Sequence, residues 1–253
     1  MEQRYFFECA YDGTDFSGWQ RQPNAETVQQ TIELMLSRRF KNTAIPILGC
    51  GRTDAGVHAN QFYFHVDLPK NLDLEQLKYK LNKMLPTSIV IFKAIPVSAE
   101  RHARFDATFR SYKYFIHVNK NPFQDKYSWY FPHSLDLEKM NRAAQLLVGE
   151  KDFTSFSKLH TDVFTNICDL SKAEWRELDN DQIVFEITAN RFLRNMVRAV
   201  VGTLLEVGQG SIQPEAITEI LEAKDRSSAG VSVPAKGLFL DKVGYEFINK
   251  KYH

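Results

Sequence analysis

Residues 73–97 read DLEQLKYKLNKMLPTSIVIFKAIPV. Asp73 and Gln76 have the spacing of a helix cap, and leucines then recur at helical spacing until Pro86, which cannot continue a helix. The apolar run from Ser88 to Val97 predicts a strand. A capped helix followed at once by a strand is the second half of a βαββαβ unit, and the preceding residues supply the first half.

The first hundred residues predict the complete unit. Strands are predicted at Arg4 to Tyr11, Ile45 to Cys50 and Asn60 to Leu68, and a helix from Glu26 to Phe40 that opens on Thr27-x-x-Gln30. The order strand, helix, strand, strand, helix, strand is ferredoxin-like and is shared with RNA-recognition modules. Helices in this arrangement cover one face of the sheet and leave the other available.

The remaining residues repeat this order. Strands are predicted at Arg110 to Val118, Ile167 to Leu178, Gln182 to Ala189 and Gly237 to Phe247, and helices at Asp136 to Val148, Arg191 to Val207 and Pro214 to Ala223. We therefore predict an α+β protein with tandem ferredoxin-like, RRM-like βαββαβ units in a continuous, mainly antiparallel sheet with helices on one face. The expected subdomains are residues 1–105 and 106–253, the second completing a cleft for an extended ligand.

Composition excludes several classes of protein. The 253 residues are 43% apolar and 25% charged, which rules out disordered and collagenous chains. Lys and Arg number 32 and Asp and Glu 31, so a nucleic-acid partner would have to bind a local basic patch. No uncharged stretch reaches the roughly 18 residues of a membrane span, so we expect a soluble, cytoplasmic protein.

The three cysteines, Cys9, Cys50 and Cys168, are odd in number and lack the C-x-x-C spacing of zinc and redox sites. We expect them to be reduced and mostly buried.

The densest local signal is GCGRTDAGVHA at residues 49–59. Its glycines permit tight turns and close approach of another segment. Arg52 and Asp54 are two residues apart, so on an extended chain both point to one side. Such a pair either grips a ligand or forms a surface ion pair in a structural turn, and spacing alone does not decide between them.

Two basic clusters are candidates for binding an anion. Arg191, Arg194 and Arg198 recur at helical spacing and predict one basic stripe at a helix N-terminus, which is either a solvated face or an anion site. Residues 101–105, RHARF, and residues 110–114, RSYKY, interleave cations with aromatic rings, a composition that suits nucleic acid. Tyr114 is equally well explained as a core residue.

Several catalytic motifs are absent from the sequence. It has no Walker A loop, no G-x-G-x-x-G, no H-E-x-x-H and no G-x-S-x-G. These absences disfavour nucleotide hydrolysis, hydride transfer and zinc chemistry. A carboxylate beside arginines on a scaffold compatible with RNA remains.

Seven blocks resemble those of a known family, the tRNA pseudouridine synthases of the TruA type. They are RTDAGVHA at residues 52–59, YDGT at 11–14, FSGWQRQ at 16–22, SYKY at 111–114, DFTSF at 152–156, Phe192 to Gly202, and GLFL at 237–240. They follow the family order over nearly the whole chain. The resemblance implies isomerisation of uridine to pseudouridine in the anticodon stem-loop of tRNA by a homodimer that uses no cofactor and no metal.

The resemblance also implies roles for individual residues. Asp54 would be the essential carboxylate, either as nucleophile on ribose C1′ or as the base that removes a ribose proton. Arg198 would pair with Asp54 and keep it ionised. Tyr112 would stack on the uracil and help to remove the C5 proton, while Leu238 would wall the base pocket. Arg52 would fill the place of the flipped uridine.

Further residues are expected to contact RNA. They are Gln20, Arg21, His58, Arg104, Arg110, Arg191 and Arg194. Two alternative functions remain. A non-catalytic RNA-binding module or tRNA-folding chaperone would not need Asp54. A glycosidase would need a second carboxylate as proton donor.

Overall fold

The computed structural model describes residues 2–158, 164–179 and 181–249. The chain forms two compact units, one comprising Met1–Thr108 with Leu240–His253, the other Phe109–Phe239. The sequence predicted a boundary after residue 105, with all later residues in the second subdomain. The observed division therefore differs chiefly at the C-terminal segment, which groups with the first unit.

The first unit begins with six elements in the predicted order. They are β1 (Glu2–Tyr11), α1 (Val28–Arg39), β2 (Leu48–Gly49), β3 (His58–Pro69), α2 (Leu74–Met84) and β4 (Ile89–Val97). β1 is central and pairs antiparallel with both β3 and β4. The short β2 pairs antiparallel with β3, so its last residue leads directly into the loop that carries Asp54.

Both predicted helix caps are confirmed. The Thr27 side chain accepts a hydrogen bond from the Gln30 N–H at the start of α1, and the Asp73 carboxylate accepts one from the Gln76 N–H at the start of α2. Each bond satisfies a backbone donor that has no partner within the helix. Local sequence therefore fixes where α1 and α2 begin.

The described parts of the second unit contain eight further strands and α-helices. They are β5 (Phe109–His117), β6 (Trp129–Tyr130), α3 (Leu137–Gln145), β7 (Gly149–Asp152), β8 (Ile167–Glu177), β9 (Gln182–Ala189), α4 (Met196–Gly208) and α5 (Ala216–Ala223). β9 pairs antiparallel with β5 and β8, and β7 extends the sheet beside β8. β6 and β7 were not predicted because they are too short to show an alternating pattern.

The predicted start of α4 is wrong. The helix begins at Met196 rather than at Arg191, because Asn195 has a left-handed backbone with φ of 65°. Arg191 and Arg194 consequently precede the helix, and only Arg198 lies on it. The predicted basic stripe along one helix does not form.

The last strand is also shorter than predicted. β10 (Leu238–Gly244) is followed by a short helix, α6 (Glu246–Asn249), where the sequence predicted strand as far as Phe247. The Val243 N–H donates to the Gln61 side chain at 3.0 Å and the Thr108 N–H donates to the Gly244 carbonyl at 2.9 Å. These bonds explain why this segment belongs with the first unit.

The predicted α+β class is confirmed. Each unit has its own aromatic core, with Phe6, Phe7 and Phe62 fully buried in the first and Tyr114 and Phe185 in the second. All three cysteines are free and buried, as expected. In the described parts of the chain no helix is both long and apolar enough to cross a bilayer.

Gly202 on α4 provides a test of packing in the second unit. A β-carbon there would lie 1.8 Å from the Val231 carbonyl oxygen. Gly202→Ala must displace that segment, so we expect the free energy of unfolding to fall by about 1 to 3 kcal/mol despite the better helix propensity of alanine. Urea unfolding followed by circular dichroism measures the change.

Gly51→Ala is the matched control, because nothing lies within 4 Å of the position that its β-carbon would take. Its stability is expected to change by less than about 0.5 kcal/mol. Equal unfolding midpoints for the two variants would contradict the packing argument.

Candidate active site

The loop that carries Asp54, residues 51–57, is bound to the segment that follows β1, residues 12–22. We call these the Asp54 loop and the N-terminal block. The Trp19 N–H donates to the Thr53 carbonyl and the Gly56 N–H donates to the Phe16 carbonyl, both at 3.2 Å. Two sequence blocks that are far apart in the chain therefore form one local structure.

Two glycines of the N-terminal block allow this close approach. A β-carbon on Gly18, whose φ is +92°, would lie 2.4 Å from the Thr53 carbonyl oxygen. One on Gly13 would lie 2.0 Å from the carbonyl oxygen of Val57. Any other residue at either position would push the Asp54 loop away, so glycine is required on steric grounds.

Buried side chains of the first unit pack against the Asp54 loop and the N-terminal block. The hydroxyls of Tyr11 and Thr53 are 2.9 Å apart, and both residues are buried. Trp19 stacks on Phe62 with ring centroids 3.9 Å apart. Thr53 is thus anchored immediately before Asp54, whose own side chain is partly exposed.

Arg52 and Asp54 flank a buried residue. Arg52 is exposed and Asp54 half-buried, while Thr53 between them is buried. In the N-terminal block Gln20 and Arg21 are also exposed. The Arg21 guanidinium is 3.7 Å from the carboxylate of Glu33 on α1.

His58 is buried, unlike a residue that contacts a ligand at the protein surface. Its side chain is only 1% exposed, and Nδ1 is 3.1 Å from both the Gly13 N–H nitrogen and an Asp12 carboxylate oxygen. A neutral ring accepts from Gly13 at that nitrogen, whereas a protonated ring donates there to Asp12. The expected RNA contact is corrected accordingly: the buried ring joins β3 to the N-terminal block.

The two tyrosines predicted on one face of β5 have different environments. Tyr112 is half-buried, and its ring meets Phe192 edge to face with centroids 5.0 Å apart. Tyr114 is fully buried and donates its hydroxyl to the Pro234 carbonyl at 2.8 Å. Burial raises the pKa of the Tyr114 phenol far above its usual value, an effect that the charge of Arg198 partly opposes. Tyr114 is therefore a core residue and Tyr112 is accessible.

Arg198 is fixed by reciprocal bonds to one segment. Its Nε donates to the Val233 carbonyl at 2.7 Å, and its own carbonyl accepts from the Val233 N–H at 3.2 Å. The same segment continues through Pro234 to Leu238, which is 5% exposed. A short stretch of chain thus orders Arg198, Tyr114 and Leu238 within the second unit.

The other predicted arginines differ in their exposure. Arg110 donates to the Asn190 carbonyl at 3.0 Å. Arg191 is half-buried near Cys168, whose pKa burial raises to about 11 against the opposing charge of that arginine. Arg194 and Arg104 are exposed.

The candidate residues divide between the two units. The first unit contains Asp54, Arg52, Gln20, Arg21, His58 and Arg104, and the second contains Tyr112, Arg198, Leu238, Arg110, Arg191 and Arg194. Among residues 2–158, 164–179 and 181–249, no three His, Cys, Asp or Glu side chains form a group able to hold a metal ion.

Reasoning from sequence missed the part that Tyr11, Gly13 and Gly18 play in fixing the Asp54 loop. The available signal was the run of a strand into Asp12-Gly13, followed by a second glycine and a tryptophan. It marks a tight turn but does not say which segment the turn will contact.

Comparison with known proteins identifies the family of this chain. Residues 9–106 and 143–246 match the profile of the family described as tRNA pseudouridine synthase. A tRNA pseudouridine synthase A from Parabacteroides distasonis is 51% identical over 244 residues, covering 96% of each chain. The one from Porphyromonas gingivalis is 50% identical over 96% of this chain and 97% of its own. The one from Bacillus pumilus is 40% identical over 94% and 97%. The chain therefore belongs to the tRNA pseudouridine synthase family.

Proposed function

We propose that this isomerase converts uridine to pseudouridine in the anticodon stem-loop of tRNA, with Asp54 as the essential carboxylate. The observation that carries the proposal is the anchored Asp54 loop. Its flanking Thr53 is hydrogen-bonded and buried, while the Asp54 side chain remains partly exposed. A reactive group held in one geometry lowers the barrier because its orientation is fixed before the substrate binds.

The reaction needs no oxidant, reductant or water. The bond between uracil N1 and ribose C1′ breaks, the base turns while it stays captive, and a bond between C5 and C1′ forms. The C5 proton then leaves and N1 gains a proton, so the product is an isomer of the substrate. Asp54 would attack C1′, as carboxylates do in retaining glycosidases, or remove a ribose proton.

Tyr112 is the tyrosine suited to meet the uracil. Its ring is partly accessible, and Phe192 braces it from the side, whereas Tyr114 is enclosed in the core. Aromatic faces stack on unpaired bases. We assign Tyr112 to stacking and to removal of the C5 proton, and Leu238 to the wall of the base pocket.

The arginines supply charge in this proposal. Arg198 would pair with the Asp54 carboxylate. The exposed Arg52 would occupy the space left by the flipped uridine, whose extrusion costs a few kcal/mol. Gln20, Arg21, Arg104, Arg110, Arg191 and Arg194 would contact the RNA. The proposal includes a homodimer that acts in the cytoplasm.

Release of tritium tests the chemistry. Unmodified tRNA labelled at uridine C5 loses its label to water when the new C5–C1′ bond forms and the C5 proton departs. We expect release by the wild type and a loss of at least about a hundredfold in Asp54→Asn, the scale of a positioned acid or base.

The same variant is expected to bind tRNA as the wild type does, because the substitution keeps the shape of the side chain. Undiminished release by Asp54→Asn would contradict the assignment. Retention of label by the wild type while tRNA is bound would favour a non-catalytic RNA-binding module or chaperone.

A second prediction concerns the salt dependence of binding. If arginines contact phosphates, log K falls linearly with log salt concentration, and loss of one contact reduces the slope by about 1. We expect this of Arg194→Gln, whose side chain is exposed. Arg142→Gln is the control, because Arg142 is also exposed, pairs with Glu215 at 2.8 Å and is not among the residues proposed to contact the RNA. Identical slopes for both variants and the wild type, measured by filter binding, would contradict a phosphate contact at Arg194.

A third prediction concerns Tyr11, which positions the Asp54 loop through Thr53. Tyr11→Phe removes the 2.9 Å contact and leaves the buried Thr53 hydroxyl without that partner. We expect kcat to fall by up to about a hundredfold, the scale of small misplacements, with little change in tRNA affinity.

Tyr5→Phe is the matched control. Tyr5 lies on the same strand, is also buried, and loses a comparable bond to the Pro69 carbonyl at 3.3 Å. It is expected to keep the wild-type kcat. An equal loss of kcat in both variants would show a general effect on stability.

A further inference from the structure

Four rings form a continuous column in the first unit, from the core to the surface. Phe6 lies 5.9 Å from His65, His65 lies 4.6 Å from His102, and His102 lies 4.3 Å from Phe105, between ring centroids. Phe6 is completely buried and His65 is 3% exposed, whereas Phe105 is 75% exposed. The Phe105 ring is therefore the solvent end of a packed series of rings.

The backbone that carries Phe105 is tied in place. Nδ1 of His102 accepts hydrogen bonds from the N–H groups of Arg104 and Phe105 at 3.1 and 3.4 Å. The Asp106 carboxylate accepts from the His102 N–H at 3.1 Å. Nδ1 of His65 accepts from the Ala103 N–H at 3.1 Å. The exposed ring therefore projects from a hydrogen-bonded backbone segment, so little conformational entropy is lost when a partner stacks on it.

Both imidazoles of the column are neutral near pH 7. Burial lowers the pKa of His65 to about 4, with a further lowering from His102. Burial and the charge of Arg4 also lower the pKa of His102. This agrees with the geometry, because Nδ1 of each ring acts as an acceptor. The column is an uncharged support that ends beside a cation.

That cation is Arg104, whose guanidinium is 5.8 Å from the centroid of the Phe105 ring. Two acids of the same segment bond to other groups. Asp106 accepts from His102 and faces Arg101 at 3.7 Å, and the Glu100 carboxylate accepts hydrogen bonds from its own backbone and from Ser98. The exposed Arg104 guanidinium beside the ring is a cation of the kind that pairs with a phosphate.

We propose that Phe105 and Arg104 form a binding site for one unstacked nucleotide of the tRNA, separate from the reacting uridine, with the base on the Phe105 ring and its phosphate at Arg104. This proposal rests on the proposed function for the identity of the RNA. An aromatic face next to a guanidinium is the combination by which proteins hold unpaired nucleotides. The base identity is not specified, since every base has a face that can stack.

Substitutions at Phe105 test the stacking contact. Affinity for unmodified tRNA is measured by filter binding with the full chain. We expect Phe105→Ala and Phe105→Leu to weaken binding by about 5- to 150-fold, the range of base–aromatic stacking. Phe105→Trp is expected to retain it, because a ring is preserved. All three should unfold at the wild-type urea concentration, since the side chain is mostly exposed.

Tyr79→Ala is the matched control. Tyr79 on α2 is 62% exposed and has the Lys83 ammonium 5.7 Å from its ring, but within the described chain it is not the end of such a column. It is expected to bind tRNA as the wild type does. Wild-type affinity in Phe105→Leu would overturn stacking in favour of a simple apolar contact. Wild-type affinity in Phe105→Ala would overturn the site altogether.

The outcomes separate this proposal from the proposed function. At saturating tRNA, Phe105→Ala is expected to release tritium from C5 at the wild-type rate, because the residue acts on binding only. Tritium release by the wild type with no effect of Phe105→Ala on affinity would overturn the nucleotide site alone. Binding that depends on Phe105 in a protein that releases no tritium would overturn the chemistry and leave the site standing.

Discussion

The close contact between two backbone segments is the constraint on which the candidate site depends. Gly18 lies against the Thr53 carbonyl and Gly13 against that of Val57, at distances that leave no room for a β-carbon. Because the Trp19 N–H also donates to Thr53, the N-terminal block fixes the Asp54 loop at both of its ends. A loop between strands is normally among the more mobile parts of a protein. Here backbone hydrogen bonds and close steric contacts hold it against the N-terminal block.

That constraint gives Asp54 both a fixed backbone and an accessible carboxylate. This combination is hard to obtain on a loop that nothing holds in place. Thr53 before it and Val57 after it are buried, and the ring of Trp19 stacks on Phe62 in the core of the same unit. A carboxylate that must approach one carbon of a ribose benefits from this arrangement, because a displacement of about 1 Å can cost a hundredfold in rate. The core of the first unit and its chemistry are therefore linked through a few buried groups.

Sequence predicted what depends on neighbours in the chain. The caps at Thr27 and Asp73 and the positions of most strands follow from local patterns, and the structure agrees with them. Prediction from sequence failed where a distant contact or a single backbone angle sets the bounds or the partner of an element. The left-handed Asn195 delays α4, and the return of the C-terminal segment depends on the bond from Val243 to Gln61. The partner of the N-terminal block, likewise, is set by tertiary contacts that no periodicity reports.

Burial then distinguishes residues that the sequence presents as equivalent. Tyr112 and Tyr114 alternate along β5 and so share a face, but Tyr114 ends in the core with its hydroxyl on a carbonyl, while Tyr112 is partly open. His65 and His102 show the same progression in the first unit, where the column leads outward to Phe105. In the first unit this aromatic series begins in the core, where it contributes stability, and its last member reaches solvent. The inner rings fix the orientation of the outer one, so the packing that stabilises the first unit also orients the ring that we propose for base stacking.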